Sequence, residues 1–283
     1  MKKPSPLVSR RIVNLKEDFR KSRKPNSLIC EAIPVCYSNR LPIENCILRR
    51  LHDFAKSNSI YFSSDNIILG GIPCRSYHGD INDHWLDSKK YDTNYQPFYP
   101  TWILSAYALS LEAKRLGFKE IVDVGSGDGR IAYCAKLLGM KSIGIEIDSG
   151  LVELQRQISK ATEVKFEIIN ADASTFEYNS LDLSNPMFFI SGLPESGEML
   201  ATTLISRFCK KAEPEIINRV GFNFMGSHVM KQFSRDTTKW GWGKLIEIFN
   251  LEVIECLTLP TYWTNDLPTD TAYVYTITKY SSS

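Results

Sequence analysis

The sequence lacks any run of about 18 apolar residues, the length a helix needs to cross a bilayer, so no membrane span is expected. It also lacks the apolar stretch that would follow a basic start in a secretory signal. The opening MKKPSPLVSRRIV is therefore not expected to direct secretion. No C-x-x-C pair occurs among the seven cysteines. An odd set without paired spacing fits reduced thiols in a cytoplasm and gives no zinc framework. Cys74, His78 and His84, or Cys30, Cys36 and Cys46, come nearest to a metal set, and their spacing does not support one. No P-loop, H-E-x-x-H or Ser-His-Asp order is present, which argues against P-loop nucleotide hydrolysis, zinc proteolysis and triad hydrolysis. Internal repeats and low-complexity tracts are absent as well.

What remains is an ordinary globular composition, 43% hydrophobic and 23% charged over 283 residues. The net charge is only +2, but it is uneven. Residues 1–24 hold nine lysines and arginines against Glu17 and Asp18, leaving the rest of the chain mildly acidic. A basic arm of this kind is suited to nucleic acid or an acidic partner, and its plainer reading is a solvated, partly disordered tail. We divide the chain into a basic arm (1–27), a small N-terminal α+β subdomain with an aromatic loop (28–96) and a main domain (97–283).

In the subdomain, residues 28–37 predict a strand. Pro42 opens a predicted helix with Ile43, Ile47, Leu51 and Phe54 on one face. SIYFSS and NIILGGIP predict two strands of a hairpin turning at residues 64–66. Residues 75–98 are polar and aromatic, and predict a loop long enough to be functional. Beyond them, strand and helix patterns alternate, which implies an α/β fold with a doubly wound, mostly parallel sheet. Two late β-rich runs, 251–259 and 272–280, imply a closing antiparallel strand pair.

The stretch Glu120–Asp148, EIVDVGSGDGRIAYCAKLLGMKSIGIEID, organises this pattern. An apolar run ends in glycines at 125, 127 and 129. A helical segment follows to Gly139, and a second apolar run ends on Glu146. Strand, glycine turn, helix and acid-tipped strand form the opening βαβ unit of a nucleotide-type site. Glycine lets the backbone approach a ligand closely, and the helix N-terminus offers unpaired N–H groups. A dinucleotide site wants G-x-G-x-x-G, whereas here the third glycine comes one residue early. Asp123 lies two residues before the first glycine. Glu146 follows that glycine by 21 residues, where an acid can take ribose hydroxyls.

D-V-G-S-G-D-G followed by G-I-E-I resembles the first two motifs of class I S-adenosylmethionine-dependent methyltransferases, over about residues 97–280. That resemblance implies S-adenosyl-L-methionine as cofactor. It implies that Asp123, Gly125, Ser126, Gly127 and Gly129 cradle its methionine end. Glu146, with Ile147 beside it, would hold the ribose, and Asp172 with Ala173 would meet the adenine. Asp172 also has a plain role as a loop cap.

A narrower likeness joins P-x-x-P-T at 97–101 to the glycine motif and to the T-x-Y-V-Y of the last strand. It resembles small archaeal protein-lysine methyltransferases and, through them, the non-SET histone-lysine enzymes. It implies that Tyr99, Pro100 and Thr101 close over the cofactor, although Pro100 and Thr101 equally suit a helix start. The fourth strand departs from the N/D-P-P-aromatic pattern of nucleic-acid amine methylation, ending in Ser191, Gly192, Leu193, Pro194 and Glu195. Ser191 and Pro194 are the candidate catalytic residues, with Ser191 also near the cofactor. A turn capping the next helix is the plain alternative.

Tyr99, Trp102, Trp240, Trp242, Tyr262 and Trp263 are candidates to line an acceptor channel, each also readable as core packing. His228 is a weaker candidate for accepting a proton. The expected activity is N-methylation of a protein lysine, with RNA or DNA as the alternative acceptor. A catalytically inactive cofactor-binding scaffold is the third reading. The expected setting is cytoplasmic, with a protein substrate as partner, nucleic acid reached through the basic arm and no membrane.

Overall fold

A computed structural model describes residues 5–22, 29–82, 98–190, 194–225, 242–260 and 273–280. The segment expected as a basic arm contains an 18-residue helix, α1 (Ser5–Ser22). Val8, Ile12, Leu15 and Phe19 recur at three- and four-residue spacing and are buried together. Lys16 is also buried, with its ammonium 5.1 Å from the Trp102 ring centre and 5.7 Å from that of Phe19. The basic charge that dominates the sequence of this segment hides an apolar stripe that docks it.

The small subdomain has β1 (Ile29–Pro34), α2 (Asn45–Ser57), β2 (Tyr61–Leu69) and β3 (Ile72–Gly79). The strands form an antiparallel sheet in the order β1-β3-β2. The hairpin turns at Gly70 and Gly71, not at residues 64–66. Both glycines have positive φ, 52° and 78°, so the turn forms where the backbone needs no Cβ. Ser63, Ser64, Asp65 and Asn66 sit instead inside β2, on an edge strand that tolerates polar side chains. The predicted loop at 75–98 accordingly starts late, since β3 runs to Gly79. Helix α2 starts three residues after Pro42, with Glu44 at its N-cap.

The main sheet follows α3 (Ile103–Arg115). Its elements are β4 (Glu120–Val124), α4 (Arg130–Leu137), β5 (Lys141–Glu146), α5 (Ser149–Thr162), β6 (Glu167–Asn170), β7 (Pro186–Ile190) and α6 (Pro194–Lys211). The short helix α7 (Pro214–Ile217), β8 (Gly221–Met225), α8 (Gly243–Ile248), β9 (Leu251–Leu259) and β10 (Tyr273–Tyr280) complete it. Strand order is β6-β5-β4-β7-β8-β10-β9. Neighbours are parallel from β6 to β8, and β10 is antiparallel to both β8 and β9. The α/β class, the mostly parallel sheet and its closing antiparallel strands are as the sequence predicts.

Alternate residues of each strand face opposite layers. Ile121, Met187, Phe189 and Ile277 share one core with α3, α4, α5, α1 and the small sheet. Val122, Val124, Phe188, Phe222 and Phe224 share the other with α6 and Trp242. The N-terminal segments therefore pack into the same hydrophobic layer as one face of the main sheet.

The burial of α1 has a measurable consequence. Phe19→Ala is expected to cost about 3–5 kcal/mol in urea denaturation, the usual cost of removing a buried phenyl ring. Arg10→Ala, on the exposed side of the same helix, should change stability by less than about 0.5 kcal/mol.

Candidate cofactor site

The sheet reverses its order of progression between β4 and β7, and ligands of such folds sit at the carboxyl ends of the strands at that switch. Val124 and Ile190 end those two strands and are paired with each other. The loop after β4 is Gly125 to Gly129, with φ of 73°, 56° and 78° at its three glycines. A side chain at any of them would strain the backbone. A Cβ on Gly127 would also lie 2.5 Å from Cε2 of Phe98, and one on Gly129 would lie 2.9 Å from Cζ of Phe166. These glycines are thus required by protein neighbours, not only by close approach of a ligand.

The backbone N–H groups of the loop differ from expectation. Gly125 and Ser126 donate to the Ile145 carbonyl at 3.0 and 3.1 Å, and Gly129 donates to that of Ser126 at 2.8 Å. Gly127 N–H donates to Glu146 Oε2 at 2.8 Å. All four amides are engaged inside the protein, so they are not the open anion cradle of a phosphate loop. Gln155 of α5 fastens the loop from behind, donating from Nε2 to Ser126 Oγ at 2.9 Å and to the Gly127 carbonyl at 2.7 Å.

Buried carboxyls surround the loop instead. Asp123 is 1% exposed. Neither of its oxygens has a hydrogen bond of normal geometry among the described residues. Burial, then the charges of Glu146 and Asp128, push its pKa well above the usual carboxylate value. Glu146 is buried at the tip of β5, and its Oε1 accepts from Asp148 N–H at 3.0 Å. Burial raises its pKa too, with hydrogen bonds from Asp148 and Gly127 opposing. Asp148 in turn caps α5, accepting from Gly150 and Leu151 N–H at 2.7 and 3.1 Å.

Asp172 follows β6, where the sequence places it. Its Oδ1 accepts from Ser174 N–H at 2.8 Å and Ser174 Oγ at 2.7 Å, so the loop-cap geometry is present. Ala173 is buried, and its carbonyl accepts from the Tyr178 hydroxyl at 2.6 Å. Ile147 offers its carbonyl to Asn170 Nδ2 at 3.1 Å, which ties the β5 and β6 tips together. Phe98 brings the 98–101 segment against Gly127, while Tyr99 is 52% exposed and Pro100 is buried. Thr101 Oγ1 lies 3.4 Å from the Tyr275 hydroxyl.

Trp102 and Trp242 are fully buried, so both serve the core and are removed as channel candidates. Ser191, Trp240, Tyr262, Trp263, His228 and His84 lie outside the described residues. Pro194 is described only as the start of the α6 backbone. His78 contacts Cys30 Sγ at 3.4 Å through Nδ1 and Asp65 Oδ1 at 2.6 Å through Nε2, two opposite ring edges.

Sequence reasoning missed the residues that hold the loop in place. Arg130, the first residue of α4, pairs with Asp128 Oδ2 and with Glu31 Oε1, each at 2.5 Å. Gln155 and Phe98 also carry no motif signal. Asp128 and Arg130 stand inside the glycine motif, but Glu31 is 99 residues away and no local pattern links it to them.

The mostly parallel sheet and its antiparallel closing strands agree with the class I methyltransferase resemblance. No protein-family model matches the sequence, and no curated protein matches it. Among solved structures, the chain is similar to the Pyrococcus abyssi tRNA (uracil-54, C5)-methyltransferase in complex with S-adenosyl-L-homocysteine. Identity is 11% and the TM-score 0.45, over 96% of this chain and 83% of that one. It is similar to magnesium protoporphyrin IX methyltransferase from Synechocystis PCC 6803 with bound SAH, at 13% identity and TM-score 0.41, over 63% and 81%. It is also similar to a TehB-like SAM-dependent methyltransferase from Corynebacterium glutamicum, at 15% identity and TM-score 0.40, over 62% and 88%.

Two outcomes are expected from the loop. Gly127→Ala should destabilise the protein, and combining it with Phe98→Ala should cost less than the sum of the two single losses, since Phe98 occupies the space the new Cβ needs. Additive losses in urea denaturation would contradict this. The second concerns pH. A carboxyl with a raised folded pKa holds its proton more tightly when folded, so stability falls as pH rises from about 4 through that raised value. Glu146 and Glu31 have the same sign. Asp123→Asn should therefore flatten the decline of the urea midpoint between pH 4 and 8 without abolishing it.

Proposed function

We propose that this protein is an S-adenosylmethionine-dependent methyltransferase and that its acceptor is a protein lysine nitrogen. The observation that carries the cofactor reading is the charge of the loop. The N–H groups of Gly125, Ser126, Gly127 and Gly129 are engaged internally, and the carboxyls of Asp123 and Glu146 are buried beside the loop with no ion pair of their own among the described residues. A phosphate would meet few free donors and two acids there. A cationic ligand with a ribose finds acceptors. Asp123 suits the ammonium of a methionine moiety, and Glu146 keeps lone pairs for hydroxyls while holding Gly127. Asp172 and Ala173 stand at the next strand tip for an adenine.

S-adenosylmethionine supplies an activated sulfonium methyl when bound. The protein then needs mainly to hold the two reactants in line and exclude water. A lysine acceptor must lose its proton, which a dry channel favours by depressing its pKa.

The lysine reading rests on the narrower resemblance and on one contact. Thr101 of the P-T element and Tyr275 of the T-x-Y-V-Y strand lie side by side, so the two separated parts of that resemblance converge at the same edge of the site. The nucleic-acid reading drew on the basic N-terminal segment. Within α1 Lys16 is buried, and Glu17 and Asp18 accompany the remaining basic residues, which leaves that reading with less support. No helix among the described residues is long and apolar enough to cross a membrane.

Labelled cofactor incubated with a cell extract, followed by protease or nuclease, tests the acceptor. Label lost to protease and resistant to nuclease is expected, and the reverse would place the methyl on nucleic acid. No label in any fraction, with tight cofactor binding by calorimetry, would favour the scaffold reading. Glu146→Ala should weaken S-adenosylhomocysteine binding by about tenfold or more, since the change removes the ribose acceptor and frees Gly127 N–H together. Unchanged affinity would remove Glu146 from the site.

A further inference from the structure

We propose that the N-terminal three-stranded sheet is a buttress for the glycine loop, and that Arg130 is the positioning residue that transmits its hold to the cofactor site. This rests on the cofactor reading above. Arg130 follows Gly129 directly and opens α4, so wherever its guanidinium is held, the end of the loop is held.

A guanidinium has five N–H donors in a fixed plane, and in Arg130 each has an acceptor. Nε donates to Asp128 Oδ1 at 2.8 Å, and Nη2 to Asp128 Oδ2 at 2.5 Å, a two-pronged grip on a residue of the loop itself. Nη1 donates to Glu31 Oε1 at 2.5 Å and to the Thr101 carbonyl. Nη2 also reaches the Tyr61 hydroxyl at 3.4 Å. The Phe54 ring centre lies 5.8 Å from the guanidinium carbon.

The acceptors are themselves fixed by the small subdomain. Tyr61 donates to Glu31 Oε1 at 3.2 Å, and Asn58 Nδ2 donates to Asp128 Oδ2 at 2.9 Å. Glu31 Oε2 accepts from Ile103 N–H at 3.0 Å, at the start of α3. Glu31, Asp128, Arg130 and Asn58 are all buried. Glu31 comes from β1, Tyr61 from β2 and Asn58 from the turn between α2 and β2. The network therefore joins the subdomain to both the glycine loop and the 98–101 segment. A lysine cannot replace this fork, because an ammonium is a point charge with three donors on a flexible stem.

The test uses the full-length protein. Arg130→Lys should weaken S-adenosylhomocysteine binding by about tenfold or more in calorimetry, while circular dichroism and the unfolding midpoint show it folded at the assay temperature. Tyr61→Phe, which removes one hydroxyl from the network and is mild enough to fold, should weaken binding by a smaller factor in the same direction. Arg115→Lys alters the ion pairs with Glu112 and Glu255 elsewhere on the molecule, and should leave affinity unchanged. Hydrogen exchange supplies a readout that needs no ligand. Amides of residues 125–129 should exchange faster in Arg130→Lys and Tyr61→Phe, with β8 unaffected. Folded variants that bind as wild type does, or that exchange faster throughout, would overturn the proposal. If wild type itself binds no S-adenosylhomocysteine, the cofactor reading fails, and the exchange pattern alone decides whether the sheet positions the loop.

Discussion

The fully paired Arg130 guanidinium is the constraint on which the rest of the site depends. Taking a charge out of water is costly unless its hydrogen-bonding groups are satisfied. Here two buried carboxylates, a carbonyl and a hydroxyl satisfy all of them. Removing one partner of a buried pair costs about 3–5 kcal/mol, because the survivor is left charged and unpaired. That is a large part of the 5–15 kcal/mol that holds a typical domain together. The end of the loop is thus confined to one position relative to β1 and α3. Glu146 on Gly127 N–H and Gln155 on the Gly127 carbonyl then fix its middle. Three positive-φ glycines are tolerable in such a frame because the surroundings over-determine them.

The same frame sets the electrostatics of the loop. A glycine turn between strand and helix has two electrostatic options, set by where its amides point. Left open, they bind an anion at the helix terminus. Turned inward, as at Gly125, Ser126, Gly127 and Gly129, they leave carbonyls and neighbouring acids to define the surface. Asp128 is paired with Arg130, whereas Asp123 and Glu146 have no ion pair among the described residues. Burial raises the pKa of both, and the charges of Glu146 and Asp128 add to the rise at Asp123. A bound cation would oppose that rise, so ligand charge and loop geometry follow from one arrangement.

Legibility in the sequence followed range. The strand–glycine–helix–strand unit was readable because all its signals fall within 29 residues, and the acid at 146 sits at a spacing set by one helix and one strand. The closing antiparallel strands were readable from two β-rich runs with no helix between them. The hairpin turn was misplaced because Ser64, Asp65 and Asn66 are turn formers by composition, yet an edge strand accepts them and the φ-positive pair Gly70–Gly71 takes the turn. The α1 helix was obscured by the nine basic residues of segment 1–24, although Ile12, Leu15 and Phe19 already carried helical spacing. Glu31 and Arg130 were not legible as partners, because tertiary pairing across 99 residues leaves no local trace.

Burial also changes how the charge of this chain should be counted. Lys16 adds to the basic character of the N-terminal segment in sequence, but in the fold it is buried under Trp102, and its charge, after that of Arg130, opposes the rise that burial gives the Glu31 pKa. Trp102 donates to the Cys30 carbonyl at 3.1 Å, and the next residue, Ile103, donates to Glu31. Helix α1, strand β1 and the start of α3 therefore meet at the group that also pairs with Arg130. Thr101 lies one residue before Trp102, with its carbonyl on Arg130 and its hydroxyl beside Tyr275. The segment proposed to close over the cofactor and the loop proposed to cradle it share a single anchor. Under those two proposals a change in the N-terminal sheet reaches the glycine loop and the 98–101 segment together, since neither can shift without disturbing the pairing of the same guanidinium.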